Sequence, residues 1–211
     1  MEAVLNKPPK SARKAKGDGH LRRAEILEAA ERIFVAEGYE GATIRKIADE
    51  VGVSSTALYM HFRDKDEILI EICLAAMQTL LAQNSEIAGR LTDAAIRVRL
   101  MLEAYVRMGL EHPNAYRLVF CSPPRPTDRP VSDAAAEVGA QCYARYVGVV
   151  REIEEAGRLR EGDADSVAQA LWAACHGLVT MIINRRDFEW ASASKLCSLI
   201  VGGMLAGLVA D

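Results

Sequence analysis

The chain has 211 residues, of which half are hydrophobic, and its formal net charge is −3. This length suits one large or two small domains with a sizeable core. No apolar run reaches about 18 residues without a charge, so we expect no membrane span, and the polar N-terminus lacks the apolar core of a signal peptide. The five cysteines are scattered and odd in number, which favours free thiols in the cytoplasm over structural zinc.

Charge is unevenly distributed along the chain. Residues 1–23 hold seven basic and two acidic side chains, a net of +5, which leaves −8 for the remainder. Such a basic arm can follow DNA phosphates or enter a minor groove. The alternative is a disordered, solvated tail, which Pro8-Pro9, Gly17 and Gly19 favour for the free protein. Whether the arm contacts DNA stays open at this point.

The next segment predicts a helix followed by a helix-turn-helix. Residues 21–41 predict a helix with apolar side chains on one face, and Gly38 is predicted to end this helix. Residues 43–62 read TIRKIADEVGVSSTALYMHF. In this stretch Gly52 can take the left-handed conformation that ends the first of two short helices, and Leu58 fills the angle between them. Two ordinary core helices joined by a glycine turn are the alternative.

The second short helix offers a surface that suits a DNA major groove. Ser54 or Ser55 can cap this helix and donate to a phosphate. The side chains predicted to point outward are Thr56, Tyr59, Met60 and His61. A helix that presents polar and aromatic side chains in this way can read base edges.

The rest of the chain predicts a helical bundle. Asp64 can cap a helix from Lys65 to about Arg90. Further helices are predicted over about 92–111, 113–120, 131–156, 163–186 and 189–209, and residues 122–130, with four prolines, must form a loop. Because strand-like alternation is scarce, the fold class is predicted to be all-α.

Residues 20–68 resemble the DNA-binding domain of the TetR/AcrR family of transcriptional regulators. The matching residues are Ala29, Phe34, Gly38, Tyr39, Thr43, Ile44, Ile47, Ala48, Gly52, Val53, Leu58, Tyr59, Phe62 and Lys65. The later segments 112–120 and 171–182 resemble a TetR subfamily with a Trp-x-x-x-His-Gly signature, which here is Trp172, His176 and Gly177. The resemblance implies a basic arm over 1–19, a three-helix DNA-binding domain over 20–66, and a ligand-binding and dimerisation domain over 67–211.

The resemblance also implies a set of DNA contacts on a near-palindromic, double-stranded operator. Thr43 and Lys65 are expected to hold phosphates, whereas Thr56 and Met60 are the candidates for base edges. The complete predicted set is Thr43, Arg45, Ser54, Ser55, Thr56, Tyr59, Met60, His61 and Lys65.

In this family the C-terminal domain binds a small molecule, so some apolar and aromatic side chains should line a cavity as well as form core. The predicted lining is Met77, Met101, Tyr105, Met108, Tyr116, Phe120, Tyr143, Trp172 and His176. We expect a small hydrophobic effector, neutral or cationic, oriented by His176 or Tyr105. The alternative is an anionic ligand such as a fatty acyl group, if any of four arginines points inward: Arg97, Arg99, Arg107 or Arg117.

The last helix predicts a homodimer. Residues 191–209 carry one charge, at Lys195, and a surface helix this apolar needs a partner. The predicted interface is Met181, Leu196, Ile200, Met204, Leu205 and Leu208. Leu205→Glu is expected to give a monomer or an aggregate. The alternative is a helix buried within its own subunit.

No enzyme motif appears: the chain has no Gly-x-Ser-x-Gly, no phosphate-binding Gly-x-x-x-x-Gly-Lys and no His-Glu-x-x-His. We expect no cofactor and no metal at His176, because no carboxylate lies three or four positions away. The sequence therefore predicts a ligand-responsive transcriptional regulator that releases its operator when effector binding moves the fourth helix. Repression is the family default. An activator, or a helical ligand-binding dimer without DNA activity, is the alternative.

Overall fold

The computed structural model describes residues 19–121 and 130–210. The elements in chain order are α1 (Gly19–Gly41), α2 (Ile44–Glu50), α3 (Ser55–Tyr59), α4 (Lys65–Ala88), α5 (Ala94–Glu111), α6 (Pro113–Tyr116), a π-helical turn (Arg117–Cys121), α7 (Pro130–Glu155), α8 (Ala164–Asn184) and α9 (Ala193–Leu208). The all-α prediction is therefore confirmed. Residues 1–18 of the predicted arm and residues 122–129 of the predicted loop lie outside the described residues.

The chain divides into two compact units, one ending at Leu69 and the other beginning at Ile70. In the first unit, α1 packs on α2 and α2 packs on α3. The buried side chains at its centre include Ile26, Phe34, Ile47, Leu58 and Phe62. The helix α4 starts in this unit and continues into the second.

Local hydrogen bonds and one glycine shape the helix-turn-helix. The Thr43 hydroxyl oxygen accepts the Lys46 N–H at 3.2 Å and caps α2. The Ser54 hydroxyl oxygen accepts the Ala57 N–H at 3.1 Å and caps α3, so Ser54 rather than Ser55 is the capping residue. Gly52 has a φ of 70°, as predicted, and a side chain there would be strained.

Gly38 ends the regular part of α1, as predicted. It has a φ of 74° and a ψ of 173°, which interrupts the helical geometry inside an element that runs on to Gly41. Tyr39 follows directly, and its ring stacks on that of Phe34 with the centroids 5.8 Å apart. The interruption therefore turns a short extension of α1 back against the core of the unit.

In the second unit, α5, α7 and α8 pack on one another and α9 packs on α8 and α5. The close approach of α5 to its neighbours depends on Gly109. A Cβ at this position would lie 2.7 Å from Val179 Cγ1 and 2.8 Å from Tyr116 Cδ2. Because protein interiors are close-packed, no other residue fits here without moving its neighbours.

Over residues 19–121 and 130–210, two helices, α4 and α8, are long and apolar enough to cross a membrane by length and composition alone. Both also carry buried faces within the fold, including Leu80 on α4 and Leu171 on α8. A core helix of a helical bundle has the same composition, so this property is weak evidence for a membrane span.

Candidate nucleic-acid interface and effector cavity

The end of α3 exposes large apolar and aromatic side chains of a kind that is usually buried in a protein core. Tyr59 is 55% exposed and Met60 is 83% exposed, whereas Leu58 between the helices is buried. Thr56 is exposed one turn before Tyr59. An exposed aromatic and an exposed thioether next to a polar helix face can contact base edges and thymine methyl groups.

The helix itself is shorter than the sequence suggested. It ends at Tyr59, and Met60 is its C-cap, so Met60 and His61 lie beyond α3 rather than on it. His61 is half-buried, and its carbonyl accepts a hydrogen bond from the Arg23 guanidinium. The α3 helix stops here because the chain turns to bury Phe62.

The predicted contacts at the two helix starts are exposed or half-buried. Thr43 and Ser54 are exposed and Ser55 is half-buried. A hydroxyl that accepts a capping bond keeps its own proton, which it can donate to a phosphate. The Arg45 side chain is 86% exposed and lies 3.9 Å from the Asp49 carboxylate, one turn along α2. This pair is weak, so Arg45 can turn toward another anion.

Lys65 has a structural role that the sequence did not predict. Its Nζ donates to the carbonyls of Tyr39 and Ala42, at 3.0 and 3.4 Å. The same ammonium lies 4.0 Å from the centroid of the Tyr39 ring. Lys65 therefore joins the start of α4 to the end of α1. An ammonium group has three donors, so one remains, and a phosphate would compete for it with the exposed Glu40 carboxylate 4.0 Å away.

Two basic residues assigned to the arm belong to the folded unit instead. Arg22 on α1 pairs with Glu25 at 2.8 Å. The Arg23 guanidinium lies 4.0 Å from the centroid of the Phe62 ring and 3.8 Å from the Glu67 carboxylate. The Arg23 contacts are long-range in sequence, so spacing alone gave no signal of them.

A cavity of about 260 Å³ lies within the second unit. Its wall consists of Met77, Leu80, Asn84, Met101, Tyr105, Val119, Phe120, Ala135, Ala136, Gly139, Cys142, Tyr143, Tyr146 and Trp172. The π-helical turn contributes Val119 and Phe120, and such turns are common at functional sites. A cavity lined by aromatic and aliphatic side chains with few polar groups suits a small hydrophobic molecule.

Six of the nine predicted lining residues are in this wall: Met77, Met101, Tyr105, Phe120, Tyr143 and Trp172. The other three are not, because Met108 and Tyr116 are buried in the core and His176 is bonded to Tyr116. The wall residues that were not predicted include Leu80 and Asn84. Leu80 and Asn84 follow Met77 by three and seven residues, so all three lie on the same face of α4. This spacing is the one sequence signal that could have identified them.

Tyr116 and His176 form a hydrogen-bonded group behind the wall. The Tyr116 hydroxyl lies 2.6 Å from His176 Nδ1, and the Tyr105 hydroxyl lies 3.0 Å from that of Tyr116. Burial lowers the pKa of His176 below its ordinary value, so the ring is neutral near pH 7 and can accept at Nδ1. Among the described residues, no three His, Cys, Asp or Glu side chains are grouped to hold a metal ion.

Among the described residues, no charged side chain lines the cavity. The four arginines of the anionic-ligand alternative, Arg97, Arg99, Arg107 and Arg117, all lie elsewhere. Arg97 is buried and donates to the Glu152 carboxylate at 3.0 Å, and this bond holds the pKa of Glu152 below its ordinary value. The described part of the wall thus offers no cation to an anionic ligand, which favours a neutral one.

The structure changes the prediction for the last helix. Leu205 is only 6% exposed and packs inside its own subunit, so a charge at this position would disrupt the fold itself. Met181 on α8 and Leu199 on α9 are exposed, at 48% and 64%. The other predicted interface residues are half-buried: Leu196, Ile200, Met204 and Leu208. One face of α9 therefore belongs to the core and the other stays open.

Two family models match this chain. The model described as bacterial regulatory proteins of the tetR family matches residues 26–72. The model described as tetracyclin repressor-like, C-terminal domain, matches residues 98–195. The two matches fall on the helix-turn-helix unit and on the unit that holds the cavity.

Individual relatives give partial sequence matches. The HTH-type transcriptional activator FasR of Mycolicibacterium smegmatis is 35% identical over 100 residues, which cover 47% of this chain and 45% of FasR. The HTH-type transcriptional repressor AcnR of Corynebacterium diphtheriae is 42% identical over 67 residues, covering 30% of this chain and 35% of AcnR. The chain thus spans less than half the length of these two relatives.

A solved structure extends the likeness to most of the fold. The ketosteroid transcriptional regulator KstR2 of Mycobacterium tuberculosis superposes with a TM-score of 0.70 at 22% identity, covering 90% of this chain and 96% of that one. At this identity the likeness shows a shared fold. Together with the two family models, it shows that the chain belongs to the TetR family of bacterial regulatory proteins.

Proposed function

We propose that the chain is a ligand-responsive transcriptional regulator that binds operator DNA as a homodimer. The observation that carries this proposal is the exposed pair Tyr59 and Met60 at the end of a capped helix-turn-helix. Two ordinary core helices would not explain why the unit leaves a large aromatic and a large apolar side chain in solvent. Matched relatives are named as transcriptional regulators, which favours this function over an enzyme.

The open face of α8 and α9 supports a dimer. Gly203 is exposed on α9, and a Cβ built on it would meet nothing within 4 Å. The subunit itself therefore gives no reason for glycine there, and glycine lowers helix propensity. Gly148 on α7 is equally unpacked, so the glycine alone does not identify an interface; on α9 it lies beside exposed apolar side chains, where close approach of a second copy supplies a reason for it. Met181 and Leu199 on the same two helices provide the exposed apolar area.

The dimer has a direct test in Gly203→Arg. The protomer has room for the arginine, and the helix gains propensity, so the fold should be kept. We expect the variant to be monomeric by light scattering at micromolar concentration, where the unchanged chain is dimeric. Gly148→Arg on α7 is the matched control, because a Cβ there also meets nothing within 4 Å. If the Gly203→Arg variant is dimeric, this face of α9 is not the dimer interface.

The switch runs through α4. This helix begins at Lys65 and lines the cavity with Met77 and Leu80. A ligand that displaces these side chains shifts the helix and therefore moves Lys65 and its contacts with Tyr39 and Ala42. The two DNA-binding units of the dimer then no longer fit two half-sites together. A coupling free energy of about 1–3 kcal/mol suffices for a useful switch.

Repression with release by the effector is the proposed direction, and activation is the second candidate. The matched relatives include one repressor and one activator by name. The two directions use the same site and dimer, and differ in whether the bound protein blocks or recruits the polymerase. The proposed location is the cytoplasm, where such a regulator meets chromosomal DNA.

A mobility-shift assay with the DNA upstream of the chain's own coding sequence tests the function, since such regulators often control adjacent genes. Tyr59→Ala should weaken binding and leave the dimer intact, because Tyr59 is exposed at the end of α3. Val35→Ala is the matched control, since Val35 is also an exposed apolar residue of the same unit, on α1. If both variants bind like the unchanged chain, Tyr59 lies outside the DNA interface.

A further inference from the structure

One polar side chain in the cavity wall has an oxygen without a hydrogen-bond partner among the described residues. Asn84 lies on α4 one turn beyond Leu80 and lines the cavity with it. Asn84 is only 4% exposed. Its Oδ1 is one of two buried side-chain oxygen or nitrogen atoms without a hydrogen-bond partner in the described part of the chain, the other being Thr180 Oγ1. Because an unpaired buried carbonyl is unfavourable, the protomer alone does not explain this asparagine.

Two other polar side chains of the same wall, those of Tyr105 and Tyr146, are already bonded inside the protein. The Tyr105 hydroxyl lies 3.0 Å from the Tyr116 hydroxyl. The Tyr146 hydroxyl donates to the Ala168 carbonyl at 3.1 Å. These groups have partners before a ligand arrives, whereas the Asn84 carbonyl does not. A ligand gains most by bringing a donor to Asn84.

The remaining wall limits the ligand class. No charged residue lines the described part of the cavity wall, and Tyr105, Phe120 and Trp172 make one part of it aromatic. The volume of about 260 Å³ lies just below the usual range for ligand pockets, ~300–1,000 Å³. An ionised ligand would lose its hydration here without gaining a counter-charge. The ligand is therefore compact, neutral and largely apolar.

We propose that the effector is a compact neutral alcohol, phenolic or alicyclic, whose hydroxyl pairs with the Asn84 amide. Its ring system then contacts Phe120 and Trp172 in the aromatic part of the wall. A hydroxyl both donates and accepts, so it satisfies the amide in either orientation of the side chain. This assignment rests on the proposed function of the cavity as the effector site, and it names the chemistry that the site selects.

The test compares three probes of nearly equal shape: naphthalene, 2-naphthol and 2-methoxynaphthalene. Their binding to the full chain is measured by isothermal titration calorimetry. We expect the unchanged chain to bind 2-naphthol about tenfold more tightly than the methyl ether, which lacks the donor. Asn84→Leu removes the amide at similar volume and should bring the two affinities within about twofold of each other. Asn84→Ala gives the same comparison with a wider cavity.

Thr180→Val is the matched control. It removes the other unpartnered buried atom, and Thr180 is outside the cavity wall, so the preference for 2-naphthol should stay. Both Asn84→Leu and Thr180→Val should melt at or above the temperature of the unchanged chain, because each removes an unpaired polar group.

The outcomes separate this assignment from the proposed function. If naphthalene binds but the unchanged chain shows no preference for 2-naphthol, the cavity is still a ligand site and the assignment of Asn84 as the hydroxyl partner is wrong. The assignment also falls if Asn84→Leu keeps the preference, or if the 2-naphthoate anion binds more tightly than 2-naphthol. If none of the probes binds the unchanged chain, both the cavity as effector site and the assignment are overturned. Failure to bind DNA in the mobility-shift assay would leave these affinities untouched.

Discussion

Replacing Lys65 with methionine tests whether this residue holds the DNA-binding unit together as well as binding phosphate. The side chain is 27% exposed, and methionine keeps its unbranched stem while removing the donors. Of its contacts, the 3.0 Å bond to the Tyr39 carbonyl and the position over the Tyr39 ring are the strongest. A bond from a charged donor contributes about 1.5–3 kcal/mol and an exposed cation–π contact about 0.5–1 kcal/mol. We therefore expect the free energy of opening this unit to fall by about 2–4 kcal/mol.

Hydrogen exchange followed by mass spectrometry is the suitable assay, because Trp172 and Trp190 both lie in the other unit and tryptophan fluorescence would not report on this one. Amides of α1 and α2 should exchange about 30-fold faster or more in Lys65→Met, since each 1.4 kcal/mol is a factor of ten. Arg45→Met is the matched control, because Arg45 is exposed and its pair with Asp49 is weak.

Both variants are expected to neutralise one phosphate fewer than the unchanged chain, which lowers the slope of log affinity against log salt by about 0.9. Only Lys65→Met should also become less protected from exchange. Equal protection in Lys65→Met, Arg45→Met and the unchanged chain would show that the contacts of Lys65 with Tyr39 and Ala42 stabilise nothing.

Three further predictions concern packing, protonation and the arm. Gly109→Ala should lower the free energy of unfolding by about 1–3 kcal/mol in chemical denaturation, because its methyl group would lie 2.8 Å from Tyr116 Cδ2, whereas Gly148→Ala, with nothing within 4 Å, should not. Burial lowers the pKa of His176 from 6.5 in the folded chain. The contribution of this histidine to the free energy of unfolding is therefore constant above pH 6.5, and it decreases as the pH drops below that value. Between pH 7.5 and about 5, the melting temperature of His176→Gln should fall less than that of the unchanged chain. Deleting residues 1–18, which hold five basic and two acidic side chains, should weaken DNA binding and reduce its salt dependence by about 0.9 for each phosphate that the arm neutralises; an unchanged slope would mean that the arm is a solvated tail.

The DNA-binding unit could be predicted largely from sequence because its determinants are local. The φ of 70° at Gly52 and the burial of Leu58 follow from residue type and short spacing. The start of α4 is likewise local: the Glu67 N–H donates to Asp64 Oδ1 at 2.8 Å, which confirms the predicted cap. Contacts between elements far apart in sequence, such as Lys65 with Tyr39, carry no comparable signal.

The second unit was harder to predict because its helices are apolar on several faces. On α9, Leu205 and Leu199 are both leucines in an almost uncharged segment, yet one is buried and the other exposed. Periodicity cannot distinguish the core face from an open face when both are hydrophobic. The cavity has the same difficulty: Met101 and Met108 lie two turns apart on α5, but only Met101 reaches the wall, since the wall depends on how four helices and the π-helical turn pack.

The most direct test of the central claim is selection of DNA by the purified chain from a library of random duplexes, with the bound complexes weighed by native mass spectrometry. A regulator that docks two helix-turn-helix units should enrich a near-palindromic site with half-sites about one helical turn, ~34–36 Å, apart. Each selected duplex should carry at least one pair of protomers. No enrichment over the starting library at physiological salt, or a single protomer on each selected duplex, would contradict the account.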